Sequence, residues 1–158
     1  MGDWIRLKAG DGHGFDVYRA EPEGKPRGAV VVVQEIFGVN PHIRNVADGY
    51  AEAGYLALAP AIYDRVAPGL ECGYTPEDIA KGRAWRAACD LDQGLLDLSA
   101  TVDAASAAGK VGMVGYCWGG SLTYVSACRL APGLSAASGY YGGQIMPHIA
   151  EKPGAATM

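Results

Sequence analysis

The sequence lacks any apolar run long enough to cross a lipid bilayer. Its longest apolar stretch, residues 55–63, is interrupted by Pro60 and falls far short of the ~20 residues that a membrane-spanning helix needs. The opening residues, MGDWIRLKAGDGHGFD, mix both charge signs and contain no apolar segment of the kind found in a signal peptide. We therefore expect neither a membrane segment nor a signal peptide, and we predict a cytoplasmic protein.

An excess of basic residues is also missing. Lysine and arginine number 13 against 17 aspartate and glutamate residues, which gives a net charge of −4. Nucleic-acid binding favours a basic surface, so we expect no nucleic-acid partner. A small anionic substrate stays compatible with this balance, because one cationic pocket hardly changes the net charge.

Paired cysteines are the third absence. The four cysteines include no CxxC pair and have no histidine at zinc spacing, so we expect reduced thiols and no metal or cofactor. They are Cys72, Cys89, Cys117 and Cys128.

The chain does contain a regular alternation of strand and helix patterns. Its 158 residues suit one domain, and 49% hydrophobic against 19% charged residues excludes a disordered chain. Strands are predicted at residues 4–7, 15–18, 29–33, 55–59, 111–114 and 134–141, with another beginning near Ala155. Helices are predicted at 43–51, from Pro76, at 91–102 and at 122–130. The order predicts an α/β fold: a mostly parallel sheet flanked by helices, preceded by an antiparallel hairpin.

The segment GYCWG at residues 115–119 lies between a predicted strand and a predicted helix. This is the setting of a nucleophile elbow, a tight turn that requires small residues two positions before and two positions after its central residue. Cys117 would project its sulfur at the helix N-terminus, where the helix dipole favours a thiolate. The backbone N–H of Trp118 would face an oxyanion. The alternative is a buried cysteine in a glycine-rich turn.

Glu35 follows the apolar strand at 29–33. Ligands of α/β sheets bind at the carboxyl ends of the strands, so Glu35 could reach the thiol of Cys117. The loop after Glu35 could supply a second oxyanion donor. Alternatively, Glu35 is a solvated carboxylate at the end of a strand.

Several segments together resemble the dienelactone hydrolase (carboxymethylenebutenolidase) family. They are VVVVQEIFGVN at 30–40, APAIY at 59–63, VGMVGYCWGG at 111–120 and GYYG at 139–142. The resemblance covers nearly all of this chain but only the first two-thirds of the family's domain. It implies an α/β-hydrolase fold that opens a lactone or ester through a cysteine nucleophile, without a cofactor.

The resemblance also implies individual roles. Cys117 matches the nucleophile, Glu35 the carboxylate that helps to generate its active form, and the N–H groups of Ile36 and Trp118 the oxyanion hole. The family holds its substrate's carboxylate through arginines, one of which falls near Lys81 and Arg83. Both of these residues could equally lie on a solvated helix face.

The sequence departs from the family after the nucleophile. The family's triad ends with an aspartate and a histidine, yet no aspartate follows Cys117 and the single later histidine is His148. We therefore interpret residues 1–158 as one incomplete α/β-hydrolase domain without its C-terminal strands and helices, its Asp and His lying beyond this chain. A second polypeptide or self-association would then complete the sheet. The alternative function is a truncated, non-catalytic ligand-binding or interaction module.

Overall fold

The computed structural model describes residues 2–130 and 132–157 and confirms the α/β fold. Its strands are β1 (Asp3–Lys8), β2 (Gly14–Ala20), β3 (Ala29–Val33), β4 (Leu56–Pro60), β5 (Val111–Tyr116), β6 (Ala136–Tyr140) and β7 (Ala156–Thr157). Its helices are α1 (Pro41–Glu52), α2 (Pro76–Ala88), α3 (Leu91–Ala105) and α4 (Trp118–Arg129). Short 3₁₀ turns occupy Ile62–Arg65, Ser106–Ala108 and Met146–His148.

The described strands form one sheet in the order β1-β2-β4-β3-β5-β6-β7. The hairpin partners β1 and β2 are antiparallel, and β2 also pairs antiparallel with β4. The remaining neighbours, from β4 through β3, β5 and β6 to β7, run parallel. The carboxyl ends of β3, β5 and β6 therefore meet at one edge of the sheet.

Strand β3 lies in the middle of the sheet, and this position explains its entirely apolar sequence. Val31 and Val33 belong to the core on the side of α3 and α4, whereas Val32 packs with Ile43 and Ala47 of α1 on the other side. A strand covered on both faces needs apolar residues at successive positions, which explains the run of four valines.

The helix boundaries follow local chemistry. Helix α1 begins at Pro41 because the Asn40 side chain accepts a hydrogen bond from the Ile43 amide. Helix α2 begins at Pro76, as predicted, where Thr75 and Asp78 form a capping box. No helix in the described part of the chain is both long and apolar enough to span a membrane.

All predicted strands are present, most of them with ends shifted by one or two residues. The strand predicted at 134–141 covers only Ala136–Tyr140, because Tyr141 turns out of it with a φ of 44°. The strand predicted near Ala155 is present as Ala156–Thr157. The last residue, Met158, lies outside the described residues.

Candidate active site

Cys117 lies on a strained turn between β5 and α4. Its φ of 56° and ψ of −119° are rarely adopted by a residue with a side chain. Its carbonyl accepts from Gly120 N at 3.0 Å, and its own N–H donates to Tyr140 O at 3.0 Å. Strained non-glycine residues of this kind concentrate at functional sites. The backbone thus has the nucleophile-elbow form that the GYCWG segment predicts.

Glycines make this turn sterically feasible. A Cβ on Gly119 would lie 2.4 Å from the carbonyl oxygens of Val33 and Gln34, and one on Gly115 would lie 2.0 Å from the Gly119 carbonyl oxygen. No side chain fits at these distances, so the start of α4 packs directly on the end of β3. This contact brings the elbow next to the loop that contains Glu35.

The sheet register places Glu35 and Cys117 at the same level. Val33 of β3 pairs with Gly115 of β5 in the parallel ladder. Glu35 and Cys117 each follow two residues later, just beyond the carboxyl ends of adjacent strands. The structure therefore brings these two predicted residues to one edge of the sheet.

The Glu35 carboxylate accepts hydrogen bonds from two tyrosines. Tyr74 Oη lies 3.1 Å from one oxygen and Tyr141 Oη lies 3.3 Å from the other. Burial raises the pKa of both phenols, and the charge of Glu35 raises it further, so both remain protonated donors at neutral pH. Within the described residues Glu35 has no hydrogen bond to Cys117, and its activating role stays a prediction.

Tyr141 is the second strained residue at this edge. It and Cys117 are the non-glycine residues with positive φ in the described chain, and they follow the paired residues Tyr140 and Tyr116 of adjacent strands. Burial is the main cause that raises the pKa of the Tyr141 phenol, and the charge of Glu35 raises it further. Tyr141 thus lies beside the Glu35 carboxylate, at the same sheet edge as Cys117.

The two amides expected in the oxyanion hole have no protein acceptor across residues 2–130 and 132–157. Trp118 is the first residue of α4, and first-turn N–H groups have no partner within a helix. Ile36 follows Glu35 in the loop after β3. Both N–H groups are therefore available to an oxygen atom of a ligand.

Lys81 and Arg83 lie on the exposed surface of α2. The Lys81 ammonium is 3.6 Å from an Asp78 carboxylate oxygen. Between them, Gly82 packs closely on the Ile36 carbonyl, where a Cβ would be 2.4 Å from the oxygen. The helix thus contacts the site loop, but the substrate-binding role of its two cations stays a prediction.

His148 lies in the 3₁₀ turn Met146–His148. Its Nδ1 is 2.9 Å from Oε1 of Glu151, which also pairs with Arg129. His148 and Trp118 line a cavity of about 250 Å³. The histidine is therefore engaged by a surface carboxylate, and among the described residues it makes no hydrogen bond to Cys117.

The other cysteines lack the features of Cys117. Burial raises the pKa of Cys89 to about 11 and also raises that of Cys72 and Cys128. Unreactive thiols have these properties.

The described residues contain no group of three or more His, Cys, Asp or Glu side chains arranged to hold a metal ion.

The strand order and the elbow after β5 define an α/β-hydrolase-type fold. The solved structure of Est1E from Butyrivibrio proteoclasticus shares this fold with a TM-score of 0.68 at 18% identity, covering 95% of this chain and 55% of that one. A solved structure described as a provisional dienelactone hydrolase, from Klebsiella pneumoniae, aligns with a TM-score of 0.74 and 32% identity over 90% of this chain and 60% of that one.

Sequence comparison identifies the family. The model of the dienelactone hydrolase family matches residues 15–157. A Synechocystis sp. protein provisionally named carboxymethylenebutenolidase is 44% identical over 145 residues, which cover 88% of this chain and 57% of that protein. Carboxymethylenebutenolidase of Pseudomonas putida is 36% identical over 146 residues, covering 87% and 60%. The chain belongs to the dienelactone hydrolase family and spans about three-fifths of the length of these relatives.

Sequence reasoning missed the tyrosines that surround Glu35. Tyr141 follows β6 at the same carboxyl edge as Cys117, so strand order alone could have placed it there. The sequence contains no such signal for Tyr74, which lies in the loop before α2. Its ring centroid is 4.5 Å from that of Phe37, and its hydroxyl accepts a hydrogen bond from Asn40 Nδ2 at 3.2 Å.

Proposed function

We propose that this chain carries the acyl-accepting half of a lactone or ester hydrolase, with Cys117 as nucleophile. The observation that carries the proposal is the strained backbone of Cys117, φ 56°, at a turn directly followed by the helix of Trp118. A nucleophile at such a turn would stand beside amides that can hold negative charge, which supports the proposal. Family membership supports the same reaction class.

The proposed chemistry begins with attack of the Cys117 sulfur on the carbonyl carbon. A carbon–sulfur bond forms, and the carbonyl oxygen becomes an oxyanion held by the N–H groups of Ile36 and Trp118. The oxyanion then collapses and the ring or ester C–O bond breaks, releasing an alkoxide that needs a proton. Water later cleaves the thioester to the acid and restores the thiol.

In this proposal Glu35 accepts the thiol proton. Its present partners, Tyr74 and Tyr141, are neutral donors that stabilise the carboxylate. A shift of one of these phenols would free an oxygen for the sulfur. Lys81 and Arg83 are the cations nearest in sequence to the family's carboxylate-binding position, and we retain them as candidates for an acidic substrate.

Turnover requires groups beyond those described. His148 is hydrogen-bonded to Glu151 instead of to Cys117. We therefore expect that the chain is acylated but releases its acyl group slowly. We propose that a second polypeptide supplies the aspartate and histidine for full hydrolysis. The same observation supports the alternative, a non-catalytic module that keeps the pocket without turnover.

The test is acylation by p-nitrophenyl acetate, followed by intact mass and peptide mapping. The proposal predicts one acetyl group per chain, mapped to Cys117, with release of one equivalent of p-nitrophenolate. Cys117→Ala should remain unmodified, whereas Cys128→Ala should behave as the native chain. Modification spread evenly over the four cysteines, or none, would support the non-catalytic module. Sustained turnover lost in Cys117→Ala would exclude that module.

A further inference from the structure

The loop that carries the Ile36 amide is held by a buried glutamine. Gln34 is fully buried, and its Oε1 accepts from the Ile62 N–H at 3.2 Å. An N–H can only donate, so the amide oxygen of Gln34 must face Ile62. The Gln34 Nε2 therefore faces the other way, where it donates to the Glu35 carbonyl oxygen at 3.3 Å.

This bond orients the Ile36 N–H. The Glu35 carbonyl and the Ile36 N–H belong to one peptide unit, and in a trans peptide the C=O and the N–H point in opposite directions. Holding the carbonyl on Gln34 thus aims the N–H away from the core. That N–H has no acceptor within the described residues.

A buried tyrosine fixes the next peptide unit. The Tyr63 hydroxyl lies 3.0 Å from the Ile36 carbonyl oxygen and 3.3 Å from that of Gly82. Tyr63 is buried, and burial raises the pKa of its phenol, which therefore remains a donor. The peptide units on both sides of Ile36 are then held by buried side chains.

The same tyrosine also contacts the second amide donor. Its ring stacks on the Trp118 indole, with centroids 5.4 Å apart and an interplanar angle of 14°. Tyr63 therefore touches the residues of both expected oxyanion donors, one through its hydroxyl and the other through its ring.

We propose that Gln34 and Tyr63 are positioning residues that set the Ile36 and Trp118 amides as an oxyanion hole. The inference rests on the proposed function, because it concerns the same acylation of Cys117. Neither side chain touches the substrate; each acts through a backbone unit. Preorganised donors of this kind lose much of their effect when their direction changes.

Two reactions of the same sulfur separate this role from a merely structural one. With p-nitrophenyl acetate, a carbon–sulfur bond forms, a tetrahedral oxyanion appears, and p-nitrophenolate leaves with its electron pair while the thiol proton goes to a base or solvent. With iodoacetamide, the sulfur displaces iodide from a CH₂ carbon and no oxyanion forms. Only acylation needs the two amides.

The experiment measures both rate constants at Cys117 in the native chain, Gln34→Met and Tyr63→Phe. We expect the acylation rate constant to fall about tenfold in each variant, which is less than the loss caused by removing an oxyanion donor altogether. The alkylation rate constant should stay within about twofold of that of the native chain. Tyr18→Phe is the matched control, since Tyr18 of β2 is also buried and its hydroxyl donates to Asp48 of α1 at 2.9 Å. This control should change neither rate.

The outcomes separate the two hypotheses. If the native Cys117 is acylated no faster than the other cysteines, the proposed function is wrong. If the native chain is acylated rapidly but both variants match it, or if acylation and alkylation fall in parallel, the positioning role is wrong. Tyr63→Phe removes a single oxygen and keeps the ring, so it provides the answer even if Gln34→Met fails to fold.

Discussion

Two parts of the molecule differ sharply in how their backbones are held. The elbow edge, which comprises residues 34–36 and 117–120, is locked by backbone contacts that leave no room for a Cβ and by buried donors. The terminal segment, residues 142–157, carries exposed apolar side chains such as Met146 and Ile149. It is held to α4 by the pair of Glu151 with Arg129, by the Gln144 N–H on Ser121 Oγ at 3.0 Å, and by the N–H groups of residues 154 and 155 on the Ala127 carbonyl.

The difference separates two requirements of catalysis. Holding an oxyanion requires donors fixed before the reaction, and the elbow edge has that rigidity. Moving a proton requires a base within hydrogen-bond reach of the sulfur, and His148 of the terminal segment is bound to Glu151 instead. Under the proposed function, the chain thus combines preorganised oxyanion donors with no hydrogen bond from a described histidine to the Cys117 sulfur.

The largest effect should come from a methyl group at the elbow edge. Gly119→Ala would force a Cβ to 2.4 Å from backbone oxygens of β3, which cannot move aside easily. We expect a loss of about 2–3 kcal/mol in the free energy of unfolding, measured with urea, together with loss of Cys117 acylation.

Gly143→Ala is the matched control in the terminal segment. No atom lies within 4 Å of the position its Cβ would take, so its stability should stay within about 0.5 kcal/mol of the native chain. Equal losses in both variants would contradict the contrast between the two parts.

Next in size is the loss of the Glu35 carboxylate. Glu35→Gln keeps the size of the side chain but removes the proposed proton acceptor, so Cys117 acylation should fall on the order of 10²-fold, the lower range for general-base catalysis. Stopped-flow release of p-nitrophenolate measures it. Glu77→Gln, an exposed change on α2, should leave the rate unaltered. An unchanged rate in Glu35→Gln would exclude Glu35 as the base.

The smallest effect concerns the ion pair of the terminal segment. Hydrogen bonds from Arg129 and His148 lower the pKa of Glu151 from its ordinary 4.5 to about 2. A carboxyl whose pKa is lowered by folding stabilises the fold above its unfolded pKa, and that contribution is lost as the pH falls from about 4.5 to about 2. Urea midpoints of the native chain and Glu151→Gln should therefore differ at pH 6 and converge towards pH 3. A constant difference across this range would contradict the assignment.

Much of this arrangement can be predicted from the sequence. Alternating strand and helix patterns indicate the fold, and the GYCWG segment indicates the elbow because its glycines occupy the two positions, 115 and 119, where no side chain fits. Glu35 is predictable because it lies two residues after the end of β3, a strand adjacent to β5. These features depend on local pattern and on the rule that parallel strands end at one edge.

The remaining site residues depend on contacts between distant parts of the chain. The position of Tyr74 is set by a loop that folds back on Phe37 and Asn40, and no local period encodes that path. The role of Gln34 depends on its distance to Ile62, which follows a different strand. Polar side chains that act through backbone groups leave no periodic signal in a sequence.

The central claim is that the folded elbow makes Cys117 an acyl acceptor. The most direct measurement compares the acetylation rates of the four cysteines in the native chain and in the chain unfolded by urea, by mass spectrometry. We predict that Cys117 reacts at least about 100-fold faster than the other three cysteines in the native chain and at the same rate in the unfolded chain. Equal rates for the four cysteines in the native chain would contradict the claim.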